Sequence, residues 1–241
     1  MMLLLDIGNS RVKWAVAQGR TLAPTVAVKH TGDPATVIGA LPVDDVGTVW
    51  IAQVMGKDHE RKIAAAVQER FGVFPHFARS AAQVDGLEIA YADPSRLGID
   101  RWLMLLAAWQ QVRGACCVVS AGTALTLDAV DANGQHLGGF IAPGLTAMLQ
   151  ATLGTTRFAT GDLAAEYTDG LGDSTESCVR QGAIIACLGA IEHGVQAAGT
   201  QGPRYICGGD AAVLLPRLRG NWTHRSDLVL QGLLALALQS A

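Results

Sequence analysis

MLLLDIGNSRVKWAVA (residues 2–17) and CCVVSAGTALTLDAVD (residues 116–131) decide the fold. Each opens on an apolar run, breaks at a glycine turn and returns as a second apolar run, which is the pattern of two strands joined by a tight turn. The stretches align without a gap at a shift of 114 residues, placing Gly8 on Gly122, Asn9 on Thr123, Ala15 on Ala129, Val16 on Val130 and Asp6 on Ser120. The identities are thin, and two unrelated hairpins would give as many. The shared order of strand, glycine turn, strand, turn and strand carries the reading of an internal duplication.

Further out from these stretches, Gln18-Gly19-Arg20 and Asp131-Ala132-Asn133-Gly134 are hairpin turns, leading to third strands over 21–29 and 136–142. A strand is expected over 48–54 and a helix over 58–71, with Asp58 capping its start and Gly72 its end. The apolar segment 102–111 reads as a buried helix joining the halves. Pro143 is expected to open a helix to about Leu153. Further helices are expected over 173–193, from Asp210 to Arg219 and over 226–238, with a strand over 204–207. Alternating strands and helices give an α/β class.

Composition narrows the function. Of 241 residues 50% are hydrophobic and 16% charged, so the chain can bury a large core. The net charge of −3 gives no basic field for nucleic acid, and no apolar run approaches the roughly 18 residues that span a bilayer. Met1–Leu5 lacks a basic n-region and does not read as a signal peptide. Five cysteines without CxxC spacing predict free thiols and a cytoplasmic location. The six histidines are scattered and read as surface or packing residues. The sequence contains no GxxxxGK[ST], HRD, GxSxG or HExxH motif.

Five short motifs could carry chemistry. Asp6-Ile7-Gly8-Asn9-Ser10 joins a carboxylate to a turn whose N–H groups can cradle phosphate. Gly122-Thr123-Ala124 occupies the matching place in the second half. In Tyr91 to Trp102, Gly98 frees the backbone, Asp100 can accept a proton and Arg101 can bind an anion. Gly138-Gly139 and Gly208-Gly209 permit close backbone approach. Taken singly, each motif is equally an ordinary turn, cap or packing feature.

In combination they resemble the type III pantothenate kinases of the actin/hexokinase/Hsp70-like superfamily. The resemblance rests on DIGNS (6–10), Tyr91 with LGIDRW (97–102), AGTALTLD (121–128), GGFIAPGL (138–145), Asp173-Ser174-Thr175, Gly208-Gly209 and DLVLQGL (227–233). It implies two duplicated ribonuclease-H-like domains with mixed sheets flanked by helices around a central cleft, here 1–113 and 114–241. It also implies transfer of the ATP γ-phosphoryl group to pantothenate, the first step of coenzyme A synthesis.

The resemblance gives Asp6, Gly8, Asn9, Ser10, Lys13, Gly122, Thr123, Gly208 and Gly209 to ATP, with magnesium held by Asp6 through water. Tyr91, Gly98, Ile99, Arg101 and Thr175 go to pantothenate, and Asp100 becomes the proton acceptor. A homodimer is implied, with no nucleic-acid or membrane partner. Many relatives carry an acid at the position of Ser120 that helps hold a monovalent cation (K+ or NH4+), so little dependence on such a cation is expected. The alternatives are another kinase or phosphatase of the superfamily, and a nucleotide-binding regulatory protein with a degraded catalytic site.

Overall fold

The computed structural model describes residues 1–155 and 170–240. The chain divides into two compact units, one formed by Met1–Gln111 with Asp227–Ala241 and the other by Val112–Ser226.

In the first unit, β1 (Met2–Ile7) lies between β2 (Arg11–Gln18), antiparallel to it, and β5 (Thr48–Gln53), parallel to it. The expected third strand is two short pieces, β3 (Thr21–Leu22) and β4 (Val26–Lys29), both paired with β2. Helix α1 (Pro34–Gly39), strand β5 (Thr48–Gln53), helix α2 (Lys57–Phe71) and strand β6 (His76–Phe77) follow. Next come the small hairpin of β7 (Gln83–Val84) with β8 (Leu87–Glu88), and helix α3 (Ile99–Val112). The sheet order is β3-β2-β1-β5-β6, with β4 also on β2.

Leu3, Leu4, Leu5 and Ile7 are all fully buried, so β1 is covered on both faces, which explains its unbroken apolar run. Leu3, Leu5 and Ile7 pack with Val12, Trp14, Ile38, Ile63 and Val67 on one face. Alternation puts Leu4 and Asp6 on the other. Helix α3 is apolar nearly all round because it is buried nearly all round, from Ile99 to Trp109. The indoles of Trp102 and Trp109 donate to the carbonyls of Ala81 and Asp85 at 3.0 and 2.9 Å.

The second unit holds β9 (Cys116–Ala121), β10 (Ala124–Val130), β11 (His136–Pro143), α4 (Leu145–Thr155), α5 (Thr175–Ala198), β12 (Arg204–Cys207), α6 (Ala211–Leu214) and β13 (Trp222–His224). Its sheet order, β11-β10-β9-β12-β13, has antiparallel pairs on one side of β9 and parallel pairs on the other, as the first sheet does around β1. Cys117, Val119, Ala121, Leu125, Leu127 and Ala129 face α4 and α5. None of the five cysteines is in a disulfide. Helix α7 (Leu228–Gln239) closes the described chain.

The duplicated α/β plan is therefore present, but the gapless alignment fails at the turn. Ile7 pairs with Val12, whereas Ala121 pairs with Leu125, so the second turn is one residue shorter. Beyond it the shift is 113, and Asp128, not Ala129, stands where Ala15 does. A one-residue slip reverses which face a side chain occupies, and Ala129 indeed lies with Leu125 and Leu127 on the core face.

Other boundaries moved as well. Helix α2 starts after Gly56 and has no side-chain cap, so Asp58 is within its first turn. Pro143 ends β11 instead of opening α4. Asp210 supplies no side-chain cap, and α6 gives way at Leu215 to a 3-10 turn carrying Pro216. The closing helix, expected with the second half, belongs to the first unit, where it packs on β1 and β5. Gly232 lies so close to the Leu103 carbonyl that a Cβ would overlap it.

Candidate active site

In the first unit the DIGNS segment spans the end of β1 and the following turn. Gly8 N–H donates to the Arg11 carbonyl at 3.0 Å and closes that turn, leaving Asn9 and Ser10 exposed at its tip. Asp6 sits at the root, 9% exposed. Lys13 stands opposite it in the register, with Nζ 3.8 Å from Oδ2. Burial pushes the Asp6 carboxyl from its ordinary 3.8 up to about 6; Lys13 pulls it down, and the nearby Asp100 carboxylate adds to the rise.

Asp100 occupies the first turn of α3, where the helix dipole favours a negative charge. Gly98 lies under the carboxylate: a Cβ there would meet Asp100 Oδ1 at 2.8 Å and displace it. Gly98 O accepts from Trp102 N–H at 3.0 Å, so the same residue starts the helix. Arg101, 4% exposed, donates from Nη1 to the Tyr91 hydroxyl at 3.3 Å, and Ile99, the first residue of α3, is also buried. The first unit thus gathers Asp6, Lys13 and Asp100 around one carboxylate pair, and links Arg101 to Tyr91.

In the second unit, three glycine segments meet. Gly144 N–H donates to Thr123 O at 3.1 Å, and a Cβ on Gly144 would overlap the Gly122 carbonyl. Gly208, at φ +98°, has no room for a Cβ against the Ala121 backbone, and Asp210 N–H donates to Ala121 O at 3.0 Å. Gly122, Thr123, Gly208 and Gly209 therefore cluster beyond the C-terminal ends of the parallel strands β9 and β12, the usual ligand side of an open α/β sheet.

Thr175 is the first residue of α5, behind a capping box formed by Ser174 and Ser177. With Pro143, Met148, Ala151, Cys178 and Ala183 it lines a cavity of about 980 Å³ beside α4 and α5. That cavity escaped the sequence reading, since its walls come from segments far apart in the chain, with no motif to join them.

His30, read as a surface or packing residue, is instead bonded to the first glycine turn. Its Nε2 lies 2.9 Å from Gly8 O, and its backbone N–H donates to Ser10 O at 3.1 Å. Ser120 and Thr126 face each other where the first hairpin has Asp6 and Lys13. Asp128 is buried with His136, Oδ1 to Nε2 at 3.1 Å. Among the described residues no group of three or more His, Cys, Asp or Glu side chains could by itself hold a metal ion, and no helix is long and apolar enough to cross a membrane.

Comparison with solved structures finds this fold again. A Campylobacter jejuni protein assigned to the Baf family of transcriptional activators superposes with a TM-score of 0.64 at 20% identity, covering 99% of this chain and 98% of that one. The activator of the 2-hydroxyisocaproyl-CoA dehydratase from Clostridium difficile, solved with ADPNP bound, superposes with a TM-score of 0.55 at 12% identity, covering 99% and 93%. At those identities the likeness bears on fold alone. In sequence, the type III pantothenate kinase of Nitrosococcus oceani is 36% identical over 249 aligned positions, covering 98% of this chain and 94% of the relative. The family model for type III pantothenate kinase matches residues 2–197, and the chain belongs to that family.

Proposed function

We propose that this chain transfers the γ-phosphoryl group of ATP to the 4′-hydroxyl of pantothenate, giving ADP and 4′-phosphopantothenate at the start of coenzyme A synthesis. The observation that carries the reading is the Asp100 carboxylate, held at the start of a buried helix beside both Asp6 and the Arg101–Tyr91 pair, in a chain of this family. Phosphoryl transfer asks a protein mainly to position groups and offset charge, and these residues are suited to both tasks.

Asp100 accepts the proton of the attacking hydroxyl. Arg101, oriented by Tyr91, binds the pantothenate carboxylate, while Gly98, Ile99 and Thr175 complete the substrate contacts. The turn at Gly8, Asn9 and Ser10, with Lys13, holds phosphate. On the second unit, Gly122 and Thr123 hold phosphate and Gly208 and Gly209 lie against the adenosine.

Asp6 fits a magnesium ion held through water. One or two carboxylates plus substrate phosphates are the usual magnesium donors, and a cation here would relieve the burial and repulsion that lift the Asp6 carboxyl. Bound magnesium would offset the charge of the transferring phosphoryl group. The reading includes a cytoplasmic homodimer that needs little potassium or ammonium. The alternative, a regulatory protein with a degraded site, has only Ser120 behind it.

The test is ADP release by the purified protein with and without pantothenate, with the phosphorylated product identified by mass spectrometry. Pantothenate-dependent ADP release and one product of the expected mass are expected. ATP turnover indifferent to pantothenate, or none, would overturn the assignment.

A further inference from the structure

We propose that His30 is the positioning residue of the first phosphate turn, and that it acts through the Gly8 carbonyl. The inference rests on the reading that residues 8–10 hold ATP phosphate. Strand β4 delivers His30 to the turn: Arg11 pairs with Lys29, so the next residue lies beside Ser10. From there one residue holds the turn at two points. Its backbone N–H donates to Ser10 O at 3.1 Å, and its ring reaches Gly8 O at 2.9 Å.

The ring's own environment fixes its proton. Gly32 N–H donates to His30 Nδ1 at 3.2 Å, so Nδ1 must present its lone pair. A neutral imidazole then carries its hydrogen on Nε2, where it donates to the Gly8 carbonyl. A trans peptide points its N–H away from its C=O. With the Gly8 carbonyl drawn towards His30, the Asn9 N–H is turned to the opposite side of the turn, at its exposed tip. Backbone donors presented in this way bind anions. In this arrangement the half-buried ring acts through the shape of the turn.

The experiment compares His30→Ala, His30→Gln and Lys13→Ala with the unmodified protein, titrating ATP and pantothenate separately. Gln is the conservative variant, since its amide N–H can donate to Gly8 O. Loss of one such hydrogen bond corresponds to about a threefold to tenfold change in binding. His30→Ala is expected to raise the KM for ATP by about that factor, with the KM for pantothenate and the kcat unchanged and with recovery in His30→Gln. Nitrogen NMR of the imidazole is expected to show the Nε2–H tautomer.

An unchanged KM for ATP in His30→Ala, while Lys13→Ala raises it, would overturn the role of His30 and leave the phosphate turn standing. An unchanged value in Lys13→Ala would overturn the phosphate turn itself. Equal impairment in His30→Ala and His30→Gln, or a rise in both KM values together, would reduce His30 to a structural residue. An Nδ1–H or cationic ring would overturn the proposed bonding.

Discussion

The hairpins β1–β2 and β9–β10 occupy the same place in two sheets of the same order, yet they differ in charge. Across the first, Asp6 faces Lys13 at the root of a four-residue turn, residues 8–11; across the second, Ser120 faces Thr126 below a three-residue turn, residues 122–124. The second hairpin does carry an acid, but two positions along β10, where Asp128 is buried against His136. The difference shows that duplication preserved the frame and let the polar chemistry diverge. The first unit concentrates charge around Asp6 and Asp100, while the second offers backbone around Gly122, Gly144 and Gly208.

The sharpest test of that division is Asp100→Asn. If the first unit supplies the proton acceptor, kcat falls about 10²- to 10⁴-fold, with the melting temperature unchanged. Steady-state kinetics on the purified variant check this, and near-normal turnover would remove the chemistry from Asp100.

The next effect belongs to the backbone side of the comparison. By register, Gly208 stands where the first unit has Gln53. Its positive φ and the adjacent Ala121 backbone leave no space for a side chain. Gly208→Ala should therefore cost about 2–4 kcal/mol from strain and overpacking, read as a lower denaturation midpoint even without nucleotide. Unchanged stability would mean that the second unit tolerates side chains where it has been read as backbone only.

Asp6→Asn should separate stability from binding. Because the folded carboxyl titrates at about 6 instead of 3.8, its neutral form favours folding. That contribution is fully present below pH 3.8 and is lost as pH rises through 6. At pH 7.5 the Asn variant should be more stable by about 3 kcal/mol, since the folded carboxyl titrates about two pH units above its ordinary value, and the gain should vanish towards pH 4. Its KM for magnesium-ATP should rise while that for pantothenate stays. Urea melts across pH and separate substrate titrations check the two halves of this expectation.

The smallest effect is at Ser120. Replacing sodium by potassium at matched ionic strength should change the rate by less than about twofold, since a hydroxyl dipole gives a monovalent ion far less than a carboxylate charge. Ser120→Asp should increase the response. Strong potassium stimulation of the unmodified protein would show that other ligands complete such a site.

Much of this was legible in the residues. The central strands announced themselves because burial on both faces demands unbroken apolar runs, as in Leu3–Leu5 and Cys116–Val119. Asp6, Asp100 and Arg101 stood out as polar residues at element ends. The shortened second turn was hidden because small residues coincide in either alignment, and only pairing across the strands separates Ala129 from Asp128. Strands as short as β6 and β13 carry no periodicity. Helix α2 begins one residue ahead of the expected cap, at Lys57, because the chain turns into it at Gly56 and Asp58 is left within the first turn. The contact of His30 with the first turn was invisible, since it comes from β4 lying beside β2.

The return of α7 to the first unit makes the second unit an insertion within the first. During synthesis, β1 and β5 leave the ribosome more than a hundred residues before the helix that covers them. At 5–20 residues per second that interval is on the order of ten seconds. Over that time the second unit can fold as one continuous stretch, while the first remains an open sheet with an apolar face exposed. Nascent chains of this protein are therefore most vulnerable to aggregation before α7 emerges, and a chain cut ahead of Leu228 would lose the unit that begins it.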